Sequence, residues 1–340
     1  MLMSKVKKRK KIGIPQALLY YKYFPFWRAF FEGLGLEVVE SGRSSKVLLQ
    51  EGNQYAIDEI CIPLKLFYGH IASLLKKKID YLFLPRYIST SVDTYMCPKF
   101  LALPDLIRAT GNNLPPIVEM SVNMKKKPFF FSALETGRSL GKSLFLTHSA
   151  YTKAISAQNL FLQAMQAGRS FDDALNAAQQ RVSLFPKYPS ASHKIRIALI
   201  GHGYNIHDAF INMDLLKKLK QMDVHPVVIE NLPSDIFEGK TSVNRSLKNY
   251  WGNEEEILSA LHYLSEERSV DGIIFLCSFC CGPDSLIDEI AMRDMKLAGF
   301  PYICVVLDEH TGQAGLITRI ESFVDMVAFR KRAEELEKRC

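Results

Sequence analysis

Three of the chain's seven cysteines fall within five positions, in Cys277-Ser278-Phe279-Cys280-Cys281. The apolar run 273–276 precedes them, and Gly282-Pro283-Asp284-Ser285 follows and opens a helical pattern. This reads as strand, tight turn, helix, with sulfur at the carboxyl end of the strand, the edge where open α/β sheets bind ligands. Thiolates placed there act as metal ligands or nucleophiles. An odd number of cysteines argues against a disulfide framework. The chemistry to test first is therefore metal binding.

Two more cysteines occupy comparable places. Cys61 stands at the start of a helical pattern over 59–75, with Pro63 in its first turn, where a missing amide proton costs nothing. Cys97 follows the strand-like run 80–84 and the loop through Ser89, Thr90, Ser91 and Asp93. Cys61, Cys97 and Cys281 thus come from three separate loops at predicted sheet edges, with Cys277 and Cys280 beside the last. Iron–sulfur ligands need not be neighbours in sequence. A zinc ribbon requires two Cys-x-x-Cys knuckles, and only Cys277/Cys280 forms one. A thioredoxin-like dithiol would use Cys277-Ser278-Phe279-Cys280 alone. Spacing by itself leaves all three chemistries open. Cys304, inside the strand-like run 302–307, reads as a small buried hydrophobe.

Around these thiols the helical period places Cys61, Lys65 and Gly69 on one face. Lys65 then offsets the charge of a thiolate-ligated cluster, and Gly69 permits a close backbone approach. His70 points to the opposite side and reads as a packing histidine. Asp308-Glu309-His310 ends another strand; the carboxylates cap the next amides, or His310 donates to a cluster sulfur or a ligand. Gly201-His202-Gly203 is half of a phosphate-binding turn, and a lone Gly-x-Gly reads first as a tight turn.

The positioning elements alternate regularly. Strands at 12–15, 36–39, 80–84 and 117–120, with helices at 20–34, 59–75 and 103–109, form an N-terminal α/β lobe over 1–125. The stripe Phe24, Trp27, Phe30 and Phe31 has the spacing of a core-facing helix. Residues 126–190 read as a helical bridge, with helices at 150–167 and 170–182, an N-cap at Ser170, and a boundary at 187–192. A second α/β lobe spans 191–340, with strands at 195–200, 224–230, 273–276 and 301–307 and helices at 208–222, 254–265, 284–297 and 315–332. The fold class is α/β: two Rossmann-like, doubly wound parallel-sheet lobes joined by a helical bridge.

Composition agrees with a globular protein of more than one lobe. The 340 residues are 48% hydrophobic and 23% charged, with net charge +7. No apolar stretch reaches membrane-span length. The basic N-terminal segment lacks the apolar core of a signal peptide, so a cytoplasmic location is expected and membrane and nucleic-acid partners are not.

Jointly, several stretches resemble one family. They are Ile12-Gly13-Ile14-Pro15 with Tyr20-Tyr21 and Pro25-Phe26-Trp27; Glu59-x-Cys61-x-Pro63-x-Lys65 with Gly69-His70; Pro85-Arg86; Cys97-Pro98-Lys99; Gly201-His202 with Tyr204-Asn205; Cys281-Gly282-Pro283-Asp284-Ser285; and Asp308-Glu309-His310 with Ala314-Gly315 and Thr318-Arg319. The chain resembles the component D, or activase-related, family of 2-hydroxyacyl-CoA dehydratases over almost its whole length. The resemblance implies an oxygen-sensitive [4Fe–4S] cluster between the lobes, with Cys61, Cys97 and Cys281 as ligands. It also implies an electron delivered by an ATP-hydrolysing activator protein, an acyl-CoA ligand, and a paralogous dehydratase subunit or a homodimer as partner. Relatives of the double-cubane type hold a larger cluster and reduce small molecules. The chain is then a lyase or reductase subunit, or an electron-transfer accessory. It departs from the pattern in the extra thiols Cys277 and Cys280. It also has no ATP-binding region of its own, which another protein or chain must supply. A cluster-free or zinc-bound scaffold for the activator is the non-enzymatic alternative.

Overall fold

Four short apolar strands, β1 (Lys11–Ile14), β2 (Glu37–Glu40), β3 (Tyr81–Ser89) and β4 (Ile117–Asn123), pair in parallel in the order β2-β1-β3-β4. Parallel pairing requires crossovers. These are α1 (Tyr20–Gly33), then α2 (Lys46–Asn53) with α3 (Ile62–Leu75), then α4 (Pro98–Leu101) with α5 (Leu103–Arg108). The computed structural model describes residues 9–111, 113–181, 195–237 and 251–337. The boundary read at 187–192, Cys340 and most of the basic N-terminal segment lie outside the described residues.

The second lobe repeats the plan. Strands β5 (Ile195–Gly201), β6 (Val224–Val228), β7 (Gly272–Ser278) and β8 (Tyr302–Leu307) pair in parallel in the order β6-β5-β7-β8. Its helices are α9 (Gly203–His207), α10 (Leu215–Gln221), α11 (Gly252–Glu267), α12 (Gly282–Leu297) and α13 (Gln313–Glu337). The chain is thus α/β with two Rossmann-like lobes. Every residue of β7 is buried, as a continuous apolar run in a sheet covered on both faces should be. The helices between the two sheets are α6 (Phe129–Ser139), α7 (Leu144–Gln166) and α8 (Phe171–Gln180).

Helix α7 ties the two cores together. Its Ala150 and Ala154 pack in the first lobe, its Phe161, Ala164 and Met165 in the second. The aromatic stripe of α1 is core, with Phe24, Trp27, Phe30 and Phe31 all buried. Ser170 caps α8 by accepting from the Asp173 amide at 3.2 Å.

Three expectations need correction. The helix expected over 208–222 begins only at Leu215. Asp208 accepts from the Phe210 and Ile211 amides at 3.0 and 3.4 Å, and Asn212 donates to the Asn205 and Ile206 carbonyls, which holds the segment as a turn. In sequence Phe129-Phe130-Phe131 reads as a compact apolar knot, but these residues open α6 and Phe131 is 48% exposed. The helix expected from Glu59 starts at Ile62, with Cys61 as its extended N-cap.

The α2–α3 crossing is unusually close. A Cβ on Gly69 would lie 1.9 Å from the Leu48 carbonyl oxygen, and one on Gly52 equally close to that of Lys65. Gly69 does serve a close backbone approach, and the approaching element is α2. Gly69→Ala is expected to force the helices apart at a cost of about 3 kcal/mol. Urea denaturation checks this; unchanged stability would refute the crossing.

Candidate functional site

Each of the three separated cysteines caps a helix. Cys61 is the N-cap of α3, Cys97 of α4 and Cys281 of α12, and each is followed within two residues by proline. Proline fits the first helical turn and so fixes the point at which the chain turns from loop to helix. The N-termini of the two long helices, α3 and α12, add partial positive charge beside sulfur. All three cysteines line one cavity of about 270 Å³, together with Cys280, Leu18, Lys99, His202, Tyr204 and Glu254. Strand order explains the convergence. In each lobe the neighbouring strands β1/β3 and β5/β7 lead their following loops in opposite directions, which opens a crevice at their carboxyl ends. Leu18 and Cys97 come from the first crevice, His202 and Cys281 from the second.

Lys99 brings a cation to the thiols of this cavity. Its Nζ donates to Cys61 Sγ at 3.6 Å and to the Cys280 carbonyl at 3.2 Å, joining the lobes across the site. The lobes also meet where the Gly252 amide donates to the Tyr95 carbonyl at 2.8 Å. Arg86 holds the Cys97 segment: it donates to the Leu101 carbonyl at 2.6 Å and pairs with Asp105 and Glu119.

Burial dominates the electrostatics. It pushes the Cys61 thiol up, against the pull of Lys99. It raises Cys97 to about 11, with Lys99 again opposing. Cys281 is driven well above the usual thiol range by burial and then by the Asp284 carboxylate. Cys61 and Cys281 are buried and Cys97 half-buried, and thiols kept protonated in this way exchange the proton on binding a metal, since coordination selects the thiolate. His202 pairs with Asp284 at 2.9 Å and lies 3.7 Å from Glu254, all three side chains nearly fully buried. Burial alone would lower its pKa, but Asp284 and then Glu254 outweigh it and raise it to about 9. Beyond that ion pair, His202, Cys281 and Asp284 bring potential ligand atoms within 4.8 Å of one another. A cavity walled by four cysteines, with a buried histidine–carboxylate pair behind one of them, has the donor chemistry to suit an iron–sulfur group.

The remaining sequence candidates lie elsewhere. Cys277 is buried in β7 with its Sγ 3.7 Å from that of Cys304 on β8, and it does not line the cavity. Lys65 donates to both Glu309 oxygens, at 3.0 and 3.1 Å. His310 is 86% exposed on a separate cleft of about 880 Å³ shared with Glu309. Asp308 caps the His310 amide at 2.7 Å, as the simpler reading has it. His70 is buried between Ser41 and Ser44. Gly201, with φ of 149°, makes a tight turn, and a Cβ there would lie 2.5 Å from the Leu276 carbonyl oxygen. Sequence reasoning missed Lys99, His202 and Glu254 as site residues. Lys99 and His202 stand in motifs already noted, whereas Glu254 carries no local signal.

Lys65→Met removes the buried cation from the Glu309 carboxylate, leaving it the Asn53 amide at 3.4 Å, and is expected to cost about 2 kcal/mol of stability, reduced from a fully buried pair because Glu309 is 22% exposed. It should leave the chemistry of the thiol cavity unchanged. Lys99→Met should alter that chemistry. Thermal melts together with metal-binding assays separate the two effects; equal metal-site changes in both variants would contradict the assignment.

The family model described as the CoA enzyme activase uncharacterised domain (DUF2229) matches residues 11–232. That span includes Cys61, Cys97 and His202 and ends before Cys281. Among curated proteins, none matches the chain. Among the described residues, no helix is long and apolar enough to cross a membrane.

Proposed function

Because the chain belongs to the CoA enzyme activase uncharacterised domain family, we propose that it is an iron–sulfur protein working beside an ATP-hydrolysing activator and an acyl-CoA dehydratase-like reaction. Cys61, Cys97 and Cys281 would hold a [4Fe–4S]-type cluster, with Cys280 at its edge. The observation that carries this reading is the meeting of those thiols, from three different crossovers, in one cavity. Such a cluster, when bound, supplies one-electron transfer at low potential. The chain's own contribution is positional. Lys99 places positive charge against Cys61 and stabilises added negative charge. The apolar walls, Leu18, Leu64 and Phe100 among them, exclude water and strengthen that attraction. Arg86 and the helix caps fix the sulfur positions.

Anaerobic protein treated with a strong one-electron reductant should develop a half-integer-spin EPR signal, with a midpoint below about −400 mV. Lys99→Met should move that midpoint downward. Protein that accepts no electron at any accessible potential would sink the electron-transfer role.

A second reading has its own support. The convergence of His202, Cys281 and Asp284 suits a single divalent ion such as zinc, in a scaffold that binds the activator. Stoichiometric zinc without acid-labile sulfide would favour it.

A further inference from the structure

The two lobes share one strand order, which makes their parts comparable position by position. Cys97 caps the helix after β3, and Cys281 caps the helix after β7. Cys61 caps α3, the helix that leads into β3. The counterpart of α3 in the second lobe is α11, the helix that leads into β7. Its first turn carries Glu254. Three of these four helix starts are capped by thiols; the fourth is capped by Trp251, and Glu254, three residues further on in the first turn, lines the cavity there.

Glu254 is 2% exposed and lines the same cavity as the three thiols. A buried carboxylate is costly unless it meets a cation or a full set of donors. The cation nearest to it in the site, the His202 imidazole, is 3.7 Å away and is engaged more closely by Asp284 at 2.9 Å. With His202 held by Asp284, the wall behind Glu254 is organised while Glu254 itself has only the longer contact to that ring.

We propose that Glu254 is the fourth ligand of the metal cluster, an oxygen donor opposite three thiolates, with His202 and Asp284 behind it as positioning residues. A carboxylate carries the same formal charge as the thiolate it replaces, so the cluster's net charge is that of an all-cysteine site. Oxygen binds iron in such clusters less tightly than sulfur does, so one iron is chemically distinct and open to exchange with an oxygen-bearing ligand. This inference rests on the cluster reading.

Mössbauer spectroscopy of the anaerobic, iron-57-labelled protein tests it. About one iron in four should differ from the rest. In Glu254→Cys that site should merge with the other three, and mild oxidation should no longer generate the EPR signal of a three-iron cluster. Glu254→Gln, nearly isosteric, should keep the fold and yield the three-iron form more readily than the unmodified protein. His202→Ala should retain a distinct iron. Four equivalent irons in the unmodified protein, or a distinct iron that persists unchanged in both Glu254 variants, would overturn the assignment. Absence of any cluster from the unmodified protein would instead remove the cluster reading itself.

Discussion

Single replacement of Cys61, Cys97 or Cys281 by alanine is expected to strip most of the iron from anaerobically prepared protein while leaving a soluble fold. Each thiolate supplies one corner from a different crossover, and among the described residues the only other cysteine on the cavity is Cys280. Cys277 and Cys304 face each other within the second sheet, off the cavity. Cys304→Ala should accordingly keep its full iron complement, which makes it the internal control. Cys280 adjoins the site in a left-handed turn, with φ of 63°, and its carbonyl is held by Lys99. Its replacement should have a smaller effect than that of Cys281. Iron assays and circular dichroism on the five variants decide the matter. Full retention of iron in the Cys61, Cys97 and Cys281 variants would end the assignment.

The second large effect is a loss of stability in acid, carried by His70. Its ring is buried, with Ser41 Oγ 2.8 Å from Nδ1 and Ser44 Oγ 3.0 Å from Nε2. The Gln16 amide donates to Ser41 Oγ, which leaves the Ser41 proton for Nδ1. Ser44 in turn donates to Asp208, which leaves its oxygen to accept from Nε2–H. The network is therefore complete with a neutral ring, and protonation would set two donors against each other. Burial lowers the pKa from the ordinary 6.5 to about 3, with Lys77 adding to it.

The sign follows from linkage: a folded state that binds the proton more weakly than the unfolded chain loses stability as protons are added. The contribution is complete above pH 6.5 and disappears as the pH falls toward 3, for a total of about 5 kcal/mol. His70→Gln removes the titrating group. Denaturation midpoints measured from pH 7 to pH 4 should fall more steeply for the unmodified protein than for the variant; parallel curves would contradict the network. Since Asp208 lies in the second lobe and Ser41 in the first, the same acid titration should loosen the contact that keeps the cysteine loops facing one another.

Much of this architecture is legible in the sequence. The fully buried run of β7 and the strand–helix alternation identify the parallel sheets. The recurrence of cysteine followed closely by proline marks three helix starts. The same reasoning fails where a residue's neighbours are fixed by topology. Helical phase correctly places Lys65 and Gly69 together, but the face they share packs on α2. Cys61, as an N-cap, has extended dihedrals and does not obey that phase. The cation beside the thiols is therefore Lys99, from a different loop, while Lys65 pairs with Glu309. Cys277 and Cys280 look equivalent in the sequence, yet one ends inside a pleated strand and the other lies in the turn beyond it. Glu254 is one acid among several in a helical segment, and only the fold, which sets the first turn of α11 against the cavity, singles it out.

The most direct measurement is the metal and sulfide content of the unmodified protein purified without oxygen. Roughly four irons and four acid-labile sulfides per chain, with little zinc, are predicted. Stoichiometric zinc with no sulfide, or neither metal at all, would contradict the account.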